Sequence, residues 1–126
     1  MQDMSADIIE LGRTPVAVVC AGIKTILDVP RTLEALETHG VPTYSLGTSQ
    51  FPGFFTADSG CPSPAVAHSV HEVARAIQAA DTLGMQSGML IAVPNPAPAA
   101  DIEEAIQVCM TMCVYTRIHI CICISV

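Results

Sequence analysis

Val16–Ala21 reads Val-Ala-Val-Val-Cys-Ala, an unbroken apolar run in which half the residues are β-branched. A strand with one wet face alternates polar and apolar residues. A strand that is apolar at every position is buried on both faces, as in a parallel or mixed sheet covered by helices on each side. The rest of the chain is consistent with that frame. Asp28–His39 has Pro30 in its first turn, Leu33 and Leu36 at helical spacing and Gly40 just beyond it, which predicts a helix. Val41–Leu46 predicts a second strand, closed by Gly47. Thr48–Pro64, rich in Gly, Pro and Phe, is a long irregular segment of the kind that often carries function. Ser69–Leu83 predicts a helix: Ser69 and Glu72 have capping-box spacing, Val73, Ala76, Ile77 and Ala80 form an apolar face, and Gly84 follows. Met89–Val93 is a third strand, running into Pro94-Asn95-Pro96, and Ala99–Gln107 begins another helix. This β-α-β-α-β-α order predicts an α/β layered domain.

Composition narrows the function. Twelve acidic residues against five basic ones give a net charge of −7, with 4% aromatic residues and no Trp. A basic phosphate-binding surface and a stacking platform are both excluded, so no nucleic-acid partner is expected. The acidic start, with Asp3, Asp7 and Glu10, does not resemble a secretory or mitochondrial leader, and Pro15–Ile23 is too short to span a membrane. The expectation is a soluble cytoplasmic protein with no membrane partner; a mitochondrial location stays open for a longer parent. Cys20 and Cys61 stand apart, while Cys109, Cys113, Cys121 and Cys123 crowd the end. No disulfide framework spans the chain, which predicts reduced thiols.

From Met112 to Ile124 the residues alternate between Met/Val/Thr/Ile and Cys/Tyr/Arg/His. The first set has purine-pyrimidine-purine codons and the second pyrimidine-purine-pyrimidine codons, so alternating repeat DNA would be translated into such a string. Residues 108–126 are therefore expected to be a repeat-like tail outside the fold, with Val108 at the junction because its codons begin GT. Residues 1–107 are expected to form one domain. The competing reading of the tail is an edge strand with period-two alternation.

Lys24 is the only lysine, and it follows the Val16–Ala21 run and Gly22. Functional groups of open α/β sheets gather at the carboxyl ends of strands. Apolar surroundings favour a free amine there, which can attack a carbonyl and form a Schiff base; otherwise Lys24 is a surface residue opening a helix. Asp3, Ser5 and Asp7 would share one face of an extended segment and could hold a hard cation or sugar hydroxyls. Composition favours the other arrangement, the amino end of a helix with Ser5 or Asp3 as its cap. His39, His68, His71 and His119 show no ligand spacing, and the terminal cysteines do not form a zinc-ribbon pattern.

Asp3-Met-Ser-Ala-Asp7-Ile-Ile-Glu-Leu11, Val16-Ala-Val-Val-Cys-Ala-Gly-Ile-Lys24-Thr-Ile-Leu-Asp28 and Thr32-Leu-Glu-Ala-Leu-Glu-Thr-His-Gly-Val-Pro42 resemble the DISADLxEL, VVCAGxKSILD and TLEYLETxGVP motifs of the pseudouridine-5′-phosphate glycosidase family, also called indigoidine synthase A-like. Phe51-Pro-Gly-Phe-Phe55 resembles its LPAFF or FPAFF segment, and Leu83–Pro96 its LNGGxxxANPIP segment. The resemblance runs from Asp3 to Gln107. It implies a three-layer α/β/α sandwich, incomplete here, and an enzyme that reversibly cleaves the C–C glycosidic bond of pseudouridine 5′-phosphate to uracil and ribose 5-phosphate. By position it implies Lys24 as the Schiff-base nucleophile, Asp3 as the manganese ligand, and Ser5, Ala6 and Asp7 as substrate-binding residues. It also implies a homotrimer.

The departures are Val66 and His68, where the family commonly has Arg and Asp, and Ala92-Val-Pro-Asn-Pro96, which shifts the Asn of ANPIP. The family's acid/base Glu and phosphate-side Lys match no position here, so the chain reads as the middle of the enzyme and is expected to turn over little by itself. Two other functions stay open on the residues. One is a non-catalytic subunit that docks on intact copies; the other is a lysine Schiff-base, aldolase-like enzyme acting on another phosphosugar.

Overall fold

The computed structural model describes residues 6–23, 28–53, 58–94 and 119–122. The elements run α1 (Ala6–Leu11), β1 (Val16–Cys20), α2 (Val29–Thr38), β2 (Thr43–Leu46), β3 (Ala65–Ala67), α3 (Val70–Thr82), β4 (Met89–Ala92) and β5 (His119–Ile122). The strands form one sheet in the order β3-β2-β4-β1-β5, and all four pairings are parallel. The expected α/β fold is the one observed.

Alternation along the central strands divides the core in two. Val16, Val18 and Cys20 of β1, with Leu90 and Ala92 of β4, face a cluster with Ile8 and Leu11 of α1 and Val29 and Leu36 of α2. Ala17 and Val19 of β1, with Met89 and Ile91 of β4, face a second cluster with Val73 and Ile77 of α3. Helices thus cover both faces, and the continuous apolar run of β1 follows from its burial on each. The path of the chain explains the layering. From β1 it passes β4's place to reach β2, with α2 on the way; from β3 it passes β2 to reach β4, with α3 on the way. Right-handed crossovers made in opposite directions along a sheet put their helices on opposite faces.

The helix limits follow local chemistry. Asp28 caps α2 by accepting from the Arg31 N–H at 3.1 Å. Ser69 caps α3 by accepting from the Glu72 N–H at 3.3 Å. The reciprocal half of the box is shifted by one residue, because the Glu72 carboxylate accepts from the His68 N–H at 2.8 Å rather than from the cap itself. Both helices end with a left-handed glycine, Gly40 (φ 68°) and Gly84 (φ 68°). In each case the next N–H reaches back to close the last turn, Val41 to Leu36 at 2.9 Å and Met85 to Ala80 at 3.0 Å. Ser69→Ala should lower stability by about 1 kcal/mol, measured as a shift of the urea midpoint with an unchanged slope. An unchanged midpoint would show that Glu72 alone holds the start of α3.

Two elements differ from the sequence reading. β3 falls immediately after the irregular segment, in an Ala-Val-Ala stretch with no β-branched run to mark it. Part of the segment expected to lie outside the fold, His119–Ile122, pairs with β1 in the register Val16↔His119 to Val19↔Ile122. Period-two alternation is itself the strand signal, and β5 leaves β1 paired on both edges. Neither Cys20, which is buried, nor Cys61 is in a disulfide. Among the described residues no helix is long and apolar enough to cross a membrane.

Candidate active site at the carboxyl ends of the strands

The crossovers reverse direction around β4, which lies between β2 and β1. In an open parallel sheet such a switch point opens a crevice at the carboxyl ends of the strands, where ligands bind. The ends of β1 and β4 are tied there, the Val93 N–H donating to the Cys20 carbonyl at 2.8 Å. Beyond β1 the chain continues through Ala21 and Gly22 to Ile23, which forms a parallel bridge with Gly53. Gly22 has φ +110°, and a Cβ at that position would lie 2.0 Å from the Pro52 carbonyl oxygen. Only glycine permits both the backbone conformation and this approach.

Pro52 belongs to a firmly held part of the long 47–64 connection. Phe51 is fully buried (0% exposed). Its N–H donates to the Cys61 carbonyl at 2.8 Å, and its carbonyl accepts from the Ser59 N–H at 3.1 Å and from the Ser59 hydroxyl. Farther along, the Ser63 hydroxyl lies 2.7 Å from the Ala65 carbonyl and 2.7 Å from the fully buried Ser45 hydroxyl of β2. The segment read from sequence as irregular is therefore fastened to β2 at one end and pressed onto the end of β1 in its middle.

Of the residues expected to do chemistry, Lys24, Asp3 and Ser5 lie outside the described residues. Lys24 is the next residue after Ile23. Ala6 opens α1, and Asp7 sits exposed in its first turn. The helical reading of this stretch therefore holds from residue 6 onward, and the extended arrangement with Asp7 on a shared strand face does not. An acidic side chain in the first turn suits the positive end of the helix. The Leu11 carbonyl, at the other end of α1, accepts from the Gly88 N–H just before β4, at the amino edge of the sheet. Ala6 and Asp7 lie at the other end of α1 from this contact, about 8 Å along the helix.

Among the described residues no three His, Cys, Asp or Glu side chains converge on a metal position. At the turn from α1 to β1, the exposed Arg13 hydrogen-bonds Glu10 and holds that carboxyl below its usual range. This pair lies at the amino edge, away from the crevice. Sequence reasoning missed the contact of Gly22 with Pro52 and the clamp of Ser59 on Phe51. The one available signal was the glycine itself, directly after a strand with no turn sequence around it.

Comparison with known proteins agrees with this geometry. The family model for indigoidine synthase A-like proteins matches residues 1–119. A pseudouridine-5′-phosphate glycosidase of Legionella pneumophila is 47% identical over 105 residues, 83% of this chain and 34% of that protein. One of Arabidopsis thaliana is 45% identical over 113 residues, 86% of this chain and 34% of that protein. The chain spans about a third of the length of these relatives. The crystal structure of an indigoidine synthase A-like protein of Thermotoga maritima superposes with a TM-score of 0.69 at 32% identity, covering 81% of this chain and 36% of that one. Prealnumycin C-glycosynthase AlnA, solved with ribulose 5-phosphate, superposes with a TM-score of 0.68 at 30% identity, covering 90% of this chain and 38% of that one. The parallel sheet with its switch point at β4, the motifs around Lys24 and a family match over nearly the whole chain together place this protein in the indigoidine synthase A-like family.

Proposed function

We propose that this sequence belongs to a pseudouridine-5′-phosphate glycosidase in which Lys24 is the nucleophile. The observation that supports it most is the position of Ile23, at the carboxyl end of a central parallel strand beside the switch point, with the chain's only lysine next in sequence. A C–C glycoside has no leaving oxygen to protonate, so the two-carboxylate scheme of ordinary glycosidases does not apply. A lysine amine supplies another route. The amine bonds to C1′ as the ring oxygen leaves C1′ and takes a proton. The nitrogen lone pair then forms the C=N bond while the C1′–C5 electron pair returns to uracil, whose C5 is protonated. Water hydrolyses the imine, giving ribose 5-phosphate and the free amine. In this reading Ser5, Ala6 and Asp7 hold the substrate. Asp3 holds manganese, a hard oxygen-binding Lewis acid. A cytoplasmic homotrimer completes the proposal.

A second reading has one observation in its favour. AlnA, a C-glycosynthase by name, was solved with a different pentose phosphate. The 47% identity to a glycosidase, against 30% to AlnA, favours the first. Borohydride reduction in the presence of ribose 5-phosphate tests both. The expected result is one sugar-phosphate adduct on the peptide Thr14–Arg31, in which modified Lys24 resists trypsin, together with uracil release from pseudouridine 5′-phosphate by the intact protein. An adduct formed with ribulose 5-phosphate, without any uracil-dependent reaction, would transfer the assignment to the second reading.

A further inference from the structure

We infer that the Phe51–Gly53 segment, clamped by Ser59, is the positioning element of the reactive lysine, acting through the backbone of Gly22 and Ile23. Its functional meaning rests on the Schiff-base reading of Lys24, whereas the packing it uses does not. Three contacts carry it. The Pro52 carbonyl occupies the space where any side chain at residue 22 would begin, 2.0 Å from the ideal Cβ position. Gly53 bridges Ile23 in parallel fashion, extending the pairing beyond the end of β1. Phe51 is bound on both its backbone groups, to Cys61 and to Ser59, and its ring is fully buried.

The two segments are about thirty residues apart in sequence, yet the second fixes the backbone up to the residue before Lys24. A lysine that must meet a sugar carbon in line needs such a fixed base, since small displacements of a reacting group carry large rate penalties. Ser59 and Pro52 need touch no substrate to do this, so they are positioning residues and not catalytic ones. The Ser59 hydroxyl acts on the Phe51 carbonyl, and the next residue, Pro52, abuts Gly22.

Two variants of the 126-residue chain test the inference, Gly22→Ala and the milder Ser59→Ala. Gly22→Ala must move Pro52 or the end of β1. Ser59→Ala removes the hydroxyl's bond to the Phe51 carbonyl and the one it accepts from the Cys61 N–H at 3.4 Å, and leaves the Ser59 N–H bond to Phe51 in place. Circular dichroism selects the folded variants. The readout is the pH dependence of acetylation of Lys24 by acetic anhydride, followed on the peptide Thr14–Arg31; with a single lysine in the chain, the signal is unambiguous. Either variant, once folded, should change the Lys24 acetylation rate at neutral pH by about tenfold, the equivalent of one pKa unit, and Ser59→Thr should restore the wild-type profile. Identical profiles in wild type and folded Ser59→Ala would overturn the inference, even if Gly22→Ala failed to fold. A changed profile, together with no ribose 5-phosphate adduct on Lys24 of the intact protein, would uphold the positioning role and reject the lysine chemistry, so the two failures are distinguishable.

Discussion

Replacing Lys24 by Ala in the intact protein should reduce uracil release from pseudouridine 5′-phosphate by at least about 10⁴-fold, the scale seen when a covalent nucleophile is removed. Lys24 is the only lysine among these 126 residues, and it alone follows the carboxyl end of β1. Lys24→Arg is the sharper variant. It keeps the positive charge and most of the length, but a guanidinium stays protonated and does not form an imine. A nucleophilic role predicts that Arg is as damaging as Ala, and that the borohydride adduct disappears in both. A purely electrostatic role, such as holding the substrate phosphate, predicts that Arg retains much of the rate. Turnover by Lys24→Arg within about tenfold of wild type would therefore remove the nucleophile from the proposal while leaving the family assignment intact.

The parts of this fold that were legible in the sequence are those decided by neighbours along the chain. Val16–Cys20 reads as a central strand because each of its faces meets a separate apolar cluster, which leaves no polar position in the run. Gly40 and Gly84 read as helix ends because a left-handed residue follows each helix and only glycine adopts that conformation at no steric cost. Ser69 was legible as a cap, although Glu72 bonds one residue earlier than the box pattern implies.

What depends on contacts remote in sequence was hidden. β3 is Ala-Val-Ala, and its partner β2 rather than its composition makes it a strand. His119–Ile122 carries a strand pattern, but the strict alternation around it pointed to repeat DNA, and only pairing with β1 shows its place. The crevice was legible in position, through Gly22 and the lysine after β1. The surface that Gly22 leans on was not, because nothing near residue 22 announces Pro52. The roles of Asp3, Ser5 and Lys24 rest on their motifs. Asp7 lies in the first turn of a helix, the arrangement that composition favoured for this stretch.

The second large effect concerns Phe51, and it separates the stability of the site from its chemistry. Its ring is fully buried in the cluster shared by α1, α2, β1 and β4. Phe51→Ala keeps the backbone bonds to Cys61 and Ser59, so the loss is that of the ring and the cavity it leaves, about 3–5 kcal/mol. Against a typical domain stability of about 5–15 kcal/mol, that change moves the urea midpoint far or abolishes folding. Phe51→Leu retains most of the apolar volume and should lose clearly less. Leu83→Ala supplies the control, because Leu83 is 77% exposed beyond the end of α3 and its truncation should stay within about 0.5 kcal/mol. If Phe51→Ala shifted the midpoint no more than Leu83→Ala does, the 47–64 connection would not be packed as described, and its hold on Gly22 would fail with it. If instead Phe51→Leu stays folded while Lys24 acetylation changes, the ring's shape, beyond its burial, helps set where the lysine-bearing end of β1 lies. A core residue some thirty positions away would then tune the reactive amine without contributing any polar group to the crevice.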